Sequence, residues 1–137
     1  MRSFLAFAAI ALAACSSPPT EPFHGTWKIA STSAPGVSTA GAGAVPVGTE
    51  VNFGARRAEF GSKVCDTPTY TRRALSRETF AEAYRVAPEQ LKLTGDPIGM
   101  VDILCASGGL DAGSTLIVRS EASMLTMWDG TFYELTR

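Results

Sequence analysis

The stretch Ser123-Met-Leu-Thr-Met-Trp128, Asp129-Gly130, Thr131-Phe-Tyr-Glu-Leu-Thr136 decides the fold of this chain. Apolar and polar residues alternate on both sides of Asp-Gly, which is typical of strands with one buried face. Asp-Gly favours a two-residue type I′ turn, because both central residues of that turn need a positive φ. The stretch therefore predicts a β-hairpin. With the run Thr115-Leu-Ile-Val-Arg119 before it, the hairpin becomes a three-stranded antiparallel meander.

Alternating or apolar runs upstream predict further strands. They lie at residues 24–31, 49–53, 57–60, 63–70, 91–93 and 97–105. One helix is predicted over Leu75 to Val86, because Ser76 can cap it and its apolar stripe includes Phe80 and Tyr84. The small-residue segment from Ser33 to Gly48 predicts either a lid over an opening or a tolerated insertion. Seven or eight of these nine runs as strands, with short turns and one helix in a single domain, favour an antiparallel barrel or sandwich.

The first residues of the chain indicate a secretory leader. Arg2 precedes an apolar run from Phe4 to Ala14, which is too short to cross a bilayer as a helix, since that takes about 20 residues. The tetrapeptide Leu12-Ala-Ala-Cys15 resembles the lipobox of bacterial lipoproteins. This resemblance implies that residues 1–14 are removed and that Cys15 carries the lipid that holds the protein to the membrane.

The residues after Cys15 add to this expected localisation. The same resemblance implies that Ser16, where an aspartate would retain the protein in the inner membrane, directs it to the outer membrane, facing the periplasm. Three prolines between Ser16 and Pro22 predict an extended tether. The expected organisation is a removed signal peptide over 1–14, a lipidated cysteine and tether over 15–22, and one β-barrel domain over 23–137.

Charge and cysteine content narrow the possible partners. Without Arg2 the mature chain has eleven basic and thirteen acidic residues, so no concentrated basic surface for nucleic acid is expected. Eight of the basic residues lie between Arg56 and Lys92, which indicates either solvated faces or a basic patch toward anionic lipid or glycan. Cys65 and Cys105 remain as an even pair in an oxidising compartment, so a disulfide is predicted. They predict no zinc site, because no CxxC motif or nearby histidine accompanies them.

No catalytic motif is recognisable in the sequence. His24 is the only histidine, and no pattern positions a nucleophile beside it, so we expect it at the surface. Asp102 interrupts the apolar run over 97–105, and it lies either on an exposed face or buried beside a partner such as an arginine. The larger aromatic residues either fill the core or line a pocket: Phe53, Phe60, Trp128 and Phe132. We therefore expect a protein that is not an enzyme and that uses no cofactor or metal.

Gly25-Thr-Trp27, near the start of the first strand, resembles the Gly-x-Trp signature of lipocalin-like (calycin) barrels. The resemblance implies an all-β, mainly antiparallel fold: a small closed or nearly closed barrel of about seven or eight strands with one short helix. It also implies that Trp27 closes the floor of the barrel under an arginine. Arg137, just past the last strand, is placed to supply that arginine, and Arg119 is a second candidate. The later Thr-Asp-Tyr-type motif of lipocalins is missing from this sequence.

The expected architecture is also similar to small periplasmic inhibitor barrels of bacteria, including lipoprotein inhibitors of lysozyme and of secreted metalloproteases. None of their inhibitory motifs is present. The main hypothesis is a lipid-anchored, periplasm-facing binding lipoprotein whose ligand is a small apolar molecule or a protein. A periplasmic protease or lysozyme inhibitor and a structural accessory protein of an envelope complex stay open as alternatives. The interior of the barrel discriminates among them, since small-ligand sites are typically cavities of about 300 to 1,000 Å³.

Overall fold

A computed structural model describes residues 21–35 and 45–137 of the chain. They form ten β-strands, one α-helix (α1, Arg77–Tyr84) and two 3₁₀ turns (Pro88–Leu91 and Asp111–Gly113). The strands are β1 Gly25–Ser33, β2 Glu50–Phe53, β3 Arg57–Phe60, β4 Lys63–Asp66, β5 Thr69–Leu75, β6 Ile98–Leu104, β7 Ser107–Gly108, β8 Thr115–Ser120, β9 Ser123–Trp128 and β10 Thr131–Thr136.

All ten strands belong to one antiparallel sheet that curls into an open barrel. Their order is β5-β6-β8-β9-β10-β1-β2-β3-β4-β7. The pairing of β1 with β10 places Ile29 opposite Leu135 and so brings the two ends of the described chain together. The predicted class, mainly antiparallel β with one short helix, is confirmed.

Two long strands are each divided by a bend. β4 and β5 are separated only by Thr67 and Pro68, and β6 and β7 only by residues 105 and 106. The register of the β5 and β6 pair continues unchanged into the β4 and β7 pair. The ladder is interrupted at the bend because Thr67 has a φ of 48° and Pro68 has no N–H to donate. The sheet has ten strands where the sequence predicted seven or eight, and counting each bent strand once reduces ten to eight.

The carboxyl-terminal hairpin is the one that the sequence predicted. Trp128 lies opposite Thr131, and between them Asp129 and Gly130 have φ angles of 48° and 78°. Positive angles at both central residues are what a type I′ turn requires. Because β8 pairs with β9, the predicted three-stranded meander is complete.

The segment between β5 and β6 agrees with the prediction only in part. Ser76 caps α1, since its hydroxyl accepts a hydrogen bond of 3.1 Å from the Thr79 N–H. The strand predicted at residues 91–93 is wrong. A 3₁₀ turn begins at Pro88, and Lys92 follows it in the left-handed conformation with a φ of 55°. A residue in that conformation cannot continue an extended strand, so the chain turns there.

Buried side chains form two clusters, as expected for a sheet whose side chains alternate between two faces. The inner cluster fills the barrel, and it includes Trp27, Ile29, Val51, Phe53, Phe60, Val101, Leu116, Met124, Tyr133 and Leu135. The outer cluster lies between the sheet and the helical segment, and it includes Phe80, Leu91, Leu93, Ile98, Met100, Ile117, Leu125 and Phe132. Strand β10 contributes to both clusters, with Phe132 in the outer one and Tyr133 in the inner one.

Several expectations fall outside the described residues. These are the signal peptide over 1–14, the lipidated Cys15, most of the tether over 15–22 and the middle of the segment from Ser33 to Gly48. Among residues 21–35 and 45–137, no helix has the length and apolar character needed to cross a bilayer.

Candidate functional site

The inside of the barrel is filled by side chains. Trp27, Phe53, Phe60 and Tyr133 are each 1% exposed or less and belong to the inner cluster. Thr126 is buried among apolar residues, and its hydroxyl lies within hydrogen-bond distance of the carbonyls of residues 112 and 115. Of the two interpretations of the aromatic residues, the core-filling one applies to Phe53 and Phe60. Phe132 packs in the outer cluster, and Trp128 is the exception described below.

The start of β1 and the end of β10 lie at one end of the barrel, here called the lower end. Arg137 covers Trp27 there, with its guanidinium carbon 4.2 Å from the centre of the indole ring. The Arg137 side chain also donates hydrogen bonds to the carbonyls of His24, at 2.8 Å, and Pro22. The Trp27 indole N–H donates to the Phe23 carbonyl at 2.9 Å. The structure therefore brings Trp27 and Arg137 into direct contact.

Arg119, the second candidate for that contact, lies elsewhere. Its side chain is 15% exposed and forms an ion pair of 2.7 Å with Glu134. It also donates to the Leu91 carbonyl at 3.2 Å and to the Ser123 hydroxyl at 2.9 Å. The guanidinium of Arg119 lowers the pKa of the Glu134 carboxyl. Arg119 therefore ties the Pro88–Leu91 turn to the sheet and takes no part in covering Trp27.

Residues 21–24, here called the entry segment, lie across the lower end. Glu21 forms an ion pair of 2.6 Å with Arg72 of β5. The Arg72 guanidinium also lies over the Phe23 ring, with 5.4 Å between the guanidinium carbon and the ring centre. Phe23 and His24 both contact the Tyr70 ring, at centroid distances of 4.9 and 5.0 Å. The entry segment is therefore fixed to β5 as well as to Arg137.

His24 is less exposed than the sequence led us to expect. Its Nδ1 accepts a hydrogen bond of 3.3 Å from the Glu21 N–H, and its Nε2 is buried without a hydrogen-bond partner among the described residues. Burial lowers the pKa of the His24 imidazole, and the nearby Glu21 carboxylate partly opposes this. Burial also raises the pKa of Tyr70 to about 12, and the Tyr70 hydroxyl donates a hydrogen bond to the Gly54 carbonyl at 2.7 Å. His24 is therefore half-buried at the surface, because the aromatic rings of Phe23 and Tyr70 cover part of it.

A small hollow remains at the lower end of the barrel. Its volume is about 180 Å³, and its walls include Phe23, Trp27, Val118 and Met124. Arg72 also lines it, together with Ser120 and Glu121. No motif in the sequence marks Arg72 as a functional residue. The only signal for it is that Tyr70, Arg72 and Ala74 alternate along β5 and so share one face of the strand.

The opposite, upper end of the barrel carries an exposed tryptophan. Trp128 is 43% exposed, and with Phe60 and Tyr133 it lines a shallow hollow of about 70 Å³. Lys63 and Asp111, which form an ion pair of 3.0 Å, line the same hollow. This end therefore combines an apolar aromatic surface with a charged rim.

Cys65 and Cys105 form the predicted disulfide, with 5.2 Å between their Cα atoms. The bond joins β4 to the residue that follows β6, at the bend of the two long strands. It therefore holds the edges of the open barrel together where the ladder is interrupted. Cys65 is fully buried in the inner cluster.

Asp102 combines the two interpretations given above, an exposed face and a partner such as an arginine. It lies on a partly exposed face, and its partner is an arginine. Its carboxylate accepts hydrogen bonds from Arg73 at 2.5 and 3.3 Å, and from the Thr115 hydroxyl at 3.0 Å. The side chains of Arg73 and Asp102 are 36% and 41% exposed. The hydrogen bonds from Arg73 lower the pKa of the Asp102 carboxyl. This pair joins β5, β6 and β8, and nothing about it requires a catalytic role.

Within the described part of the chain, no group of three or more histidine, cysteine, aspartate or glutamate side chains could hold a metal ion. No protein-family model matches the chain, and no curated protein or solved structure matches it either. The function of the chain is therefore inferred from the geometry of the two ends of the barrel.

Proposed function

We propose that this chain is a lipid-anchored, periplasm-facing binding protein without catalytic activity, and that it binds a protein partner through the upper end of its barrel. Attachment through Cys15 accounts for the leader and the lipobox. The membrane is the outer membrane, as Ser16 suggests, and nucleic acid is not a partner of a chain with this charge.

The filled barrel interior is the observation that carries this proposal. Sites for drug-sized ligands are usually about 300 to 1,000 Å³. The hollow at the lower end has about 180 Å³, and the depression of about 420 Å³ beside it is open to solvent and does not enter the barrel. The inner cluster occupies the rest with large buried side chains such as Trp27, Phe53 and Tyr133. The sequence left two classes of ligand open. The filled interior supports a protein that binds at the surface of the barrel better than a small molecule that binds inside it.

Trp128 is the group best suited to anchor such a partner. Tryptophan residues supply a large share of the energy at protein interfaces, where they are surrounded by polar rims. Trp128 is the largest of the exposed apolar side chains in the described residues, and the Lys63 and Asp111 ion pair lies at the same hollow. The chain before Glu21 joins the barrel at the lower end, so an anchor at Cys15 leaves the upper end free to face the periplasm.

An inhibitor of a secreted protease or of lysozyme is the second candidate. The disulfide and the filled interior favour it, because a surface that is already rigid loses little conformational entropy on binding. The accessory protein of an envelope complex uses the same surface but has a permanent partner. The inhibitor and the accessory protein would therefore use the same part of the barrel and would differ only in the protein that they bind.

Photocrosslinking in intact cells tests the proposed surface. A photoreactive phenylalanine analogue replaces Trp128 in one strain and Arg56 in a second, since Arg56 is exposed in the turn between β2 and β3, at the lower end of the barrel. We expect a crosslinked protein from position 128 only, and Trp128→Ser should weaken binding of that protein once it is purified. Equal crosslinking from both positions, or none from position 128, would overturn the proposal.

Two further measurements separate the remaining parts of the proposal. The intact mass of the protein from membranes should show loss of residues 1–14 and a lipid on Cys15, and Cys15→Ser should release the chain from the membrane.

Secreted proteases and lysozyme are then assayed with an excess of the full chain. Stoichiometric inhibition that Trp128→Ser removes would support the inhibitor, and full residual activity would exclude it.

A further inference from the structure

The hollow at the lower end of the barrel has the form of a binding site that the proposed protein interface does not use. Its walls are apolar, and they come from the entry segment, β1, β8 and β9 through Phe23, Trp27, Val118 and Met124. Phe23, Trp27 and Met124 are 4% exposed or less, so the hollow extends inward from the surface to the inner cluster.

Small residues of β5 and β6 leave further space beside the hollow. Ala74 and Gly99 are opposite each other in the β5 and β6 pair. With Val118 and Arg72 they line a wider, shallow depression beside the hollow, since Val118 and Arg72 line both. A Cβ atom placed on Gly99 would lie 3.9 Å from the Val118 Cβ, which is ordinary contact, and Gly99 does not have a positive φ. A larger side chain at Gly99 is therefore compatible with the backbone and would occupy this space.

Charged groups at the opening limit what can bind. Arg72 is held between Glu21, at 2.6 Å, and the Phe23 ring, and the Arg72 and Glu21 side chains are 56% and 39% exposed. Exposed ion pairs of this kind contribute little to stability, so Arg72 can accept another anion. Glu121 also lines the hollow, and its carboxylate disfavours an anionic ligand.

We propose that the lower hollow binds the hydrocarbon chain of a single-chain anionic amphiphile, such as a fatty acid, with the carboxylate of the ligand on Arg72. Apolar walls of this volume take part of an alkyl chain and not a polycyclic molecule. Arg72 is the one cation among the residues that line the hollow, so it can pair with a negatively charged head group, while Glu121 weakens that pairing. This site lies at the end opposite Trp128, so it is independent of the proposed protein interface.

Quenching of Trp27 fluorescence by a brominated fatty acid tests the site. The full chain carries Cys15→Ser, so that no lipid of its own competes, and Trp128→Phe, so that Trp27 is the only tryptophan. We expect saturable quenching with one ligand per chain, which unlabelled octanoate reverses. Octanol and octylamine should compete at least several-fold less well than octanoate. Equal competition by octylamine would overturn the role of Arg72, and quenching that does not saturate would overturn the site.

Three charge variants distinguish ligand binding from a structural effect. Arg72→Gln removes the proposed partner of the carboxylate and should weaken binding about three- to tenfold. Glu21→Gln breaks the same ion pair but leaves Arg72 free, so it should tighten binding, as should Glu121→Gln. If Arg72→Gln and Glu21→Gln change the affinity in the same direction, the ion pair acts only on the structure and the assignment of Arg72 is wrong.

Gly99→Leu fills the space beside the hollow without touching its charges. We expect it to abolish the saturable quenching while the urea unfolding midpoint stays close to that of the parent chain. Ser33→Leu, on an exposed part of β1 outside this hollow, serves as the matched control and should bind normally. Unchanged binding by a folded Gly99→Leu chain would place the ligand elsewhere and overturn the proposal.

Discussion

The guanidinium of Arg137, the last residue of the chain, lies over the ring of Trp27, near the start of the first strand, at a distance of 4.2 Å. The same side chain donates hydrogen bonds to the Pro22 and His24 carbonyls. One carboxyl-terminal residue therefore joins the entry segment, β1 and the end of β10 at the lower end of the barrel.

Arg137→Met should lower the free energy of unfolding by about 1 kcal/mol, because a cation over an aromatic ring contributes about 0.5 to 2 kcal/mol and this cation is partly exposed to solvent. Urea unfolding followed by circular dichroism measures the change. Arg137→Lys keeps the charge and should recover part of the loss. Arg56→Met, in the exposed turn between β2 and β3, should leave the midpoint unchanged. Equal midpoints for Arg137→Met and the parent chain would show that the contact does not stabilise the fold.

Loss of the disulfide should destabilise the barrel more strongly. Cys65 and Cys105 are 40 residues apart, and the chain-entropy model gives about 3 to 4 kcal/mol for closing a loop of this length. We expect Cys65→Ser with Cys105→Ser, or reduction of the parent chain, to lower the urea midpoint accordingly. Cys15→Ser is the control and should not change it. A midpoint that is insensitive to reductant would contradict the prediction.

Two adjacent glycines should respond very differently to alanine. Gly108 in β7 has a φ of 75°, and a Cβ atom there would lie 2.2 Å from the Val64 carbonyl oxygen. Gly108→Ala should therefore cost about 2 kcal/mol or more, from backbone strain and displacement of β4. A Cβ atom on Gly109 meets no atom within 4 Å, so Gly109→Ala should be nearly neutral. Similar unfolding midpoints for the two variants would show that β7 does not pack against β4 in this way.

Local patterns in the sequence were sufficient to predict most of the fold. The alternation around Asp129 and Gly130 predicted the hairpin, since the period of side chains and the turn type are both local properties. The continuation of one register across the bend was not predictable, because it depends on the pairing of β4 with β7 and on the disulfide beside it.

The candidate sites were less predictable than the fold. Trp27 could be named because a short motif marked it, and Arg137 because it lies just past the last predicted strand. Arg72 carried no such mark, because it lies beyond the strand predicted at residues 63–70 and before the predicted helix. Its role depends on the entry segment lying beside β5, which only the folded chain shows. The turn after Pro88 was mistaken for a strand because the alternation of Leu91 and Leu93 fits both structures.

His24 should make the stability of the barrel depend on pH near neutrality. Its Nδ1 accepts a hydrogen bond from the Glu21 N–H, so a proton on Nδ1 would break that bond, and the covered ring disfavours a charge. Of the charged groups nearby, the Glu21 carboxylate favours the protonated ring, while Arg72 and Arg137 are cations that contact the same entry segment. The net effect is a lowered pKa for His24 in the folded protein.

The direction of the pH dependence follows from this lowered pKa. The unfolded chain binds a proton at the ordinary histidine pKa of about 6.5, and the folded chain binds it only at lower pH. The contribution of neutral His24 to the stability of the fold is therefore complete above about pH 6.5. It is lost as the pH falls from there through the pKa of His24 in the folded state. The pKa values of Asp102 and Glu134 are also lowered, and the stability that these two carboxylates contribute is lost only at more acidic pH.

The ring-proton NMR signals of His24 report its pKa directly, because it is the only histidine in the chain. Urea midpoints of the parent chain and of His24→Gln are then measured between about pH 5 and 7, the range in which histidine titrates. We expect the parent chain to lose stability toward the acidic end of this range and His24→Gln to show a flatter profile. A His24 pKa at or above the ordinary value, or identical profiles for the two chains, would show that the entry segment does not bury the neutral ring.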